Sequence, residues 1–151
     1  MFSAIASSLT IALAAMTQAD HAPEGDKQVS HAFGKTYTSR ADPDVLSRSP
    51  WWDETEESPP VSPRRALKLA DKMLRSIAKA PDGWKWRVTN QRLFIWGNMC
   101  LWHVMYEAVP IEPEAGLLEP FHEITLIVLM DGTVVKPVLA DDEKVDEKSQ
   151  D

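Results

Sequence analysis

The side chains best suited to chemistry here begin with the single cysteine, Cys100, and its neighbour His103, both in the apolar run MCLWHV. A thiolate nucleophile needs an activating base beside it, and His103 is the only base close in sequence. If the run forms a strand, positions 100 and 103 point to opposite faces. We therefore predict no catalytic dyad and interpret Cys100 as a small buried hydrophobe.

The four histidines, at positions 21, 31, 103 and 122, are scattered. No second ligand follows any of them at a spacing such as His-x-x-x-His, which a metal site would need. Four acids crowd positions 53–57, but such runs are usually solvated and do not supply two carboxylates in different environments. With no phosphate loop, nucleophile elbow or dinucleotide fingerprint, the sequence predicts no enzyme, no metal and no cofactor.

Composition sets the broad class of the protein. The chain has 151 residues, of which 44% are hydrophobic and 26% charged, enough for one globular domain. The formal net charge of −7 repels phosphate backbones, so we expect no nucleic acid partner.

The termini and the middle of the chain differ in pattern. Residues 1–19 are uncharged and apolar and end in small residues, which is typical of a signal peptide, with a retained anchor as the alternative. Residues 20–59 are polar and aperiodic and predict a flexible leader. Residues 60–139 form the predicted domain, and residues 140–151 an acidic disordered tail. The protein is therefore expected in the periplasm or secreted, without a membrane span once the signal is removed.

The clearest element is an amphipathic helix. Ser62 is a good N-cap and Pro63 suits the first helical position. Apolar residues then recur at spacings of three and four up to Ile77, and the segment APDG at 80–83 ends the helix.

Everything after Gly83 predicts strands. The turn at Gly97-Asn98 pairs Trp96 with Met99, and the turn at Asp131-Gly132 pairs Met130 with Thr133. A β-bulge near Asn90–Gln91 would keep the first strand in register. The predicted fold is α+β, with the one amphipathic helix packed on a four-stranded antiparallel meander sheet.

Both faces of this predicted sheet are apolar. The first face, which carries Cys100 and Trp102, would pack on the helix. The second face carries Phe94, Leu101, Met105, Ile127 and Leu129, with His103 among them, and a bare patch of that size is unusual. We expect Trp51 and Trp52 to fold onto it, with an exposed partner-binding hot spot as the alternative. The candidate partner-binding residues are Trp51, Trp52, Leu101, His103 and Met105.

A resemblance rests on two segments, SPRRALKLADKML at the helix and ITLIVLMDGTVVKP near the end of the meander. With the order of helix then strands, these segments resemble the PepSY-like modules of exported bacterial proteins and the wider cystatin-like architecture. The resemblance implies a non-catalytic binding or peptidase-regulating module in the cell envelope.

The sequence therefore predicts an exported, non-catalytic binding or envelope-assembly module whose partner is a protein or peptide of the cell envelope. The alternative is a small-ligand carrier or enzyme that uses a pocket between the helix and the sheet. A pocket lined by His or Glu would favour this alternative.

Overall fold

The computed structural model describes residues 25–53, 55–96, 99–112 and 121–141. The predicted signal peptide, the Gly97-Asn98 turn and residues 142–151 of the predicted tail lie outside these ranges. Within the described residues the chain forms two antiparallel sheets and two helices. The elements are β1 (Asp26–Ala32), β2 (Lys35–Ala41), α1 (Pro43–Arg48), α2 (Pro63–Ile77), β3 (Trp84–Trp96), β4 (Met99–Pro110), β5 (Glu123–Leu129) and β6 (Val138–Asp141).

The central sheet, in the order β3-β4-β5, contains the part of the meander that was predicted correctly. Trp96 pairs with Met99, which confirms the predicted hairpin register. The register also shifts between Val88 and Asn90, so the bulge lies one residue before the predicted site. Because of this shift, Trp86 lies on the first face and packs against the core there.

The predicted four-stranded meander is wrong, because the chain follows the edge of β5 only as far as Val135 and then crosses to a second sheet. The Leu129 N–H donates to the Thr133 carbonyl, and Val128 pairs with Val134. The connection is thus a three-residue loop with Gly132 at φ 90° and not the predicted two-residue turn. Beyond it, β6 pairs with β2 in a second sheet.

This small sheet, in the order β1-β2-β6, is the second correction, since residues 26–41 fell in the predicted flexible leader. Its inward positions are mostly small or polar, so no alternation of large apolar residues marked the strands; the buried ones are Ser30, Ala32, Tyr37, Ser39 and Ala41. Its hairpin also turns at Phe33-Gly34, with φ values of 51° and 71°, where asparagine or glycine is usual.

Helix α2 forms as predicted and covers the first face of the central sheet. The Arg65 N–H donates to the Ser62 hydroxyl at 3.3 Å, which confirms the predicted cap. Ala66 and Ala70, small residues on the inner side of α2, are fully buried and allow the helix to approach the sheet closely. Within the described ranges, neither helix has the length and apolar character needed to cross a bilayer.

The expectation that two tryptophans cover the second face is also wrong. Trp52 is half-buried and packs with the cluster on the α2 side, and Trp51 is 58% exposed. The second face is covered instead by the small sheet and α1, whose Ala41 and Leu46 pack on Ile127 and its neighbours. The second face is therefore covered by part of residues 20–59, the segment that was predicted to be a flexible leader.

Replacing Leu46 with alanine tests this cover. Leu46 is 2% exposed, whereas its neighbour Val45 in the same helix is 36% exposed. We expect Leu46→Ala to lower the free energy of unfolding by about 2–4 kcal/mol, as for other buried leucines, and Val45→Ala by about 0.5 kcal/mol or less. Urea titrations of both variants give the comparison, and equal effects would mean that α1 does not cover the sheet.

Candidate functional site

A partly buried aspartate–histidine pair joins the two sheets at the start of β1. The second face of β4 carries His103, and the Nε2 atom of its ring lies 2.5 Å from Asp26 Oδ2. The side chains are 8% and 21% exposed, respectively. Gln28 donates from its Nε2 to the other carboxylate oxygen of Asp26 at 3.0 Å. Both oxygens of this carboxylate are therefore held by polar partners.

These partners set the ionisation of Asp26. Burial by itself would raise the pKa of this carboxyl, but the hydrogen bond and charge of His103, with the hydrogen bond from Gln28, bring the pKa below its ordinary value. The carboxylate form is thus favoured in the folded protein. Hydrogen bonds to an ionised group are stronger than those between neutral groups, so the pair fixes the orientation of the imidazole.

Phe94 covers the ring of His103. The two ring centroids are 4.1 Å apart with the planes tilted by 42°, and the Arg92 guanidinium carbon lies 5.8 Å from the Phe94 centroid. Phe94 itself is 39% exposed, and Ile95 next to it is 41% exposed. Two exposed apolar side chains, pointing to opposite faces, therefore stand on β3, which is an edge strand of the central sheet in the described residues.

Two adjoining cavities meet at Asp26 and Phe94. The larger is a polar cleft of about 290 Å³, whose lining includes Asp26, Gln28, Asn90, Arg92, His103, Glu123 and Thr125. The smaller is an apolar hollow of about 150 Å³ that is lined also by Leu46, Ile95, Met99 and Leu101. Because the two share a wall, one ligand could place an apolar group in the hollow and polar groups in the cleft.

The predicted partner-binding residues divide into two groups. Leu101, His103 and Met105 lie on the second face and line these cavities. Trp51 and Trp52 do not line them. Sequence reasoning placed Phe94 on the second face without naming it as a binding residue, and it missed Asp26, Arg92 and Glu123. Asp26 was hidden in the predicted leader, and the alternation of small residues around Phe33-Gly34 was the signal that could have revealed its strand.

The other chemically capable side chains do not join this site. Cys100 is 2% exposed and packs in the cluster beneath α2. His122 is half-buried, and its Nδ1 accepts from the Phe33 N–H at 3.2 Å. In the described part of the chain, no three His, Cys, Asp or Glu side chains come together as metal ligands. The site offers binding groups and one potential acid–base pair.

Burial makes a clear prediction for Cys100. Desolvation raises the pKa of its thiol, although a hydrogen bond from the Trp52 backbone acts in the opposite direction. We expect the native thiol to react with iodoacetamide at least 100-fold more slowly than the exposed thiol of a Ser58→Cys variant, because the thiolate is the reactive form. Mass spectrometry at timed intervals measures both. Rapid labelling of native Cys100 would contradict the predicted burial, and labelling in urea is the positive control.

The lowered pKa of Asp26 predicts a stability loss in acid. Because the folded value lies below the unfolded one, near 3.8, the carboxylate stabilises the fold fully above the unfolded pKa. This contribution is lost as the pH falls through the folded pKa. We expect Asp26→Asn to be less stable than the natural protein by about 1–3 kcal/mol at neutral pH, with the difference shrinking below about pH 4.

Chemical denaturation at several pH values measures this difference, and Asp44→Asn is the matched control, since Asp44 is an exposed acid on α1. A stability difference for Asp26→Asn that stays constant down to pH values near 2 would show that the carboxylate charge does not stabilise the fold.

Comparison with known proteins identifies no relative of this chain. No family model matches the chain, and neither a curated protein nor a solved structure matches it. The resemblance to PepSY-like and cystatin-like modules stays a prediction from the sequence.

Proposed function

We propose that this protein is an exported, non-catalytic binding module that holds an extended peptide segment of a protein partner in the cell envelope. The observation that supports it best is the partly exposed Phe94 on edge strand β3, which lines both the polar cleft and the apolar hollow. The uncharged apolar N-terminal segment supports export.

An edge strand is suited to a peptide for a general reason. It presents backbone N–H and C=O groups that have no neighbouring strand, so an extended peptide can add to the sheet. In the described residues β3 pairs with β4 and forms the edge of the central sheet over 13 residues. Backbone bonds would then supply affinity, and side-chain cavities specificity.

The cavities indicate which side chains the peptide carries. A cavity of about 150 Å³ with apolar walls accommodates one aromatic or branched aliphatic group. The cleft beside it offers the carboxylate of Glu123 and the guanidinium of Arg92, which suit polar or charged side chains. We therefore expect a peptide with one large apolar anchor next to polar residues.

A second candidate function is favoured by the Asp26–His103 pair itself. Oriented imidazoles act as general bases, and the cleft around this one is lined by Glu123 and Gln28. The cleft would then take a small polar molecule. It lies on the opposite face of the sheet from α2, and not in the pocket between helix and sheet that the sequence suggested.

The test starts from peptides selected by the full-length protein from a displayed library of random dodecamers. We expect the best synthetic peptide to protect the amides of β3 from hydrogen exchange. Phe94→Ser should weaken its binding about 30-fold, because truncating a central aromatic anchor costs roughly 2 kcal/mol. Calorimetry measures the affinities.

Phe121→Ser is the matched control, because Phe121 is an aromatic residue with 68% exposure that lines neither cavity. Phe94→Leu, which keeps an apolar group over His103, separates loss of the anchor from loss of folding. Equal weakening by Phe94→Ser and Phe121→Ser, or protection of another strand, would refute the peptide site. A small polar molecule that binds in the cleft without any selected peptide would favour the second candidate.

A further inference from the structure

The charge of this acidic protein is divided unevenly along the chain. Residues 63–96 contain nine Lys or Arg and two Asp, a formal charge of +7. The rest of the chain contains seven Lys or Arg and 21 Asp or Glu, a formal charge of −14. All nine basic residues of the first segment are exposed. The net charge of −7 therefore conceals a strongly basic region made by α2 and β3.

Helix α2 concentrates this charge on one side. At 100° per residue, its five basic positions fall within an arc of about 100°. They are Arg64, Arg65, Lys68, Lys72 and Arg75. The centre of this arc lies opposite the buried stripe of Ala66, Ala70 and Leu74. We call this arc the basic ridge; it points directly away from the central sheet.

Among the described residues, no cation of the basic ridge forms an ion pair, although Asp71 borders the ridge. The ion pairs there join Arg40 to Asp42, Arg87 to Glu107, and His103 to Asp26. Asp71, the acid in α2, accepts a hydrogen bond from the Tyr106 hydroxyl at 2.7 Å. The five cations are thus available to a partner.

We propose that the basic ridge binds the surface of an anionic lipid bilayer. The five cations stand on the side of α2 opposite its buried stripe, so the ridge is the convex outer surface of a single helix. A convex row of cations fits an extended flat surface of negative charge, whereas an acidic protein would need a matching groove. The rest of the chain is negatively charged and is repelled by anionic lipid, so the molecule is oriented with the ridge facing the bilayer.

This contact is electrostatic and peripheral. The apolar stripe of α2 is buried on the sheet, and no large apolar side chain of α2 is exposed, so the helix inserts nothing between acyl chains. Each basic residue near an anionic surface strengthens binding about fivefold. The binding should weaken steeply as salt shortens the range of the charges.

Vesicle flotation of the full-length protein tests this surface. The vesicles contain either phosphatidylcholine alone or phosphatidylcholine with phosphatidylglycerol, at low ionic strength, about 0.02 M. We expect binding to the anionic vesicles only. The triple variant Lys68→Gln, Lys72→Gln and Arg75→Gln should bind them about 100-fold more weakly.

A control variant removes the same charge elsewhere, with Lys27→Gln, Lys35→Gln and Lys136→Gln, all at exposed positions. Both triple variants change the formal net charge from −7 to −10. The control should retain most of the binding, and circular dichroism checks that both variants fold.

Three outcomes would overturn the proposal. Equal loss in both variants would assign binding to net charge alone. Equal binding to neutral vesicles would assign it to the apolar N-terminal segment. If the protein is retained on immobilised polyglutamate but does not bind anionic vesicles, the partner of the ridge is an acidic protein instead. None of these outcomes bears on the peptide site, because that site lies on the second face.

Discussion

The structure depends on one constraint, which is that β5 is apolar on both of its faces. Six successive residues, Ile124–Leu129, are buried. A strand of this kind is stable only between two covering layers. Helix α2 covers one face, and α1 with Ala41 of the small sheet covers the other, while Ala32 and Tyr37 of the small sheet pack in the cluster on the α2 side. The need for cover on both faces follows from the sequence of a single strand.

The same constraint explains how the free edge of β5 is protected. The Thr125 N–H donates to the Ser30 hydroxyl at 2.9 Å, and the Val135 N–H donates to the Ile127 carbonyl at 2.9 Å. An exposed edge on so apolar a strand would invite aggregation. Instead, β1 closes one half and the segment after β5 closes the other. This arrangement uses residues that would otherwise have continued the meander, which is why the chain crosses to the small sheet.

The sequence predicted the elements in which large apolar residues recur with a clear period. The cap at Ser62, the helix to Ile77 and the pairing of Trp96 with Met99 depend on local rules, and each of them formed. The small sheet could not be predicted in this way, because its buried positions are small and its stability comes from contact with β5. The role of Asp26 could not be predicted either, because Asp26 and His103 are 77 positions apart in the chain and only the tertiary fold brings them together. The sequence thus predicted only part of the candidate site, namely Leu101, His103 and Met105 on β4.

The two faces of the central sheet also determine how the two proposed surfaces relate. The basic ridge lies on the outer side of α2, above the first face of the central sheet, whereas the cleft and hollow open on the second face. A molecule that rests on a bilayer through its ridge would hold the cleft away from the lipid. Peptide and membrane would then bind at once without competing for side chains, because Phe94 and the ridge cations are separated by the sheet itself.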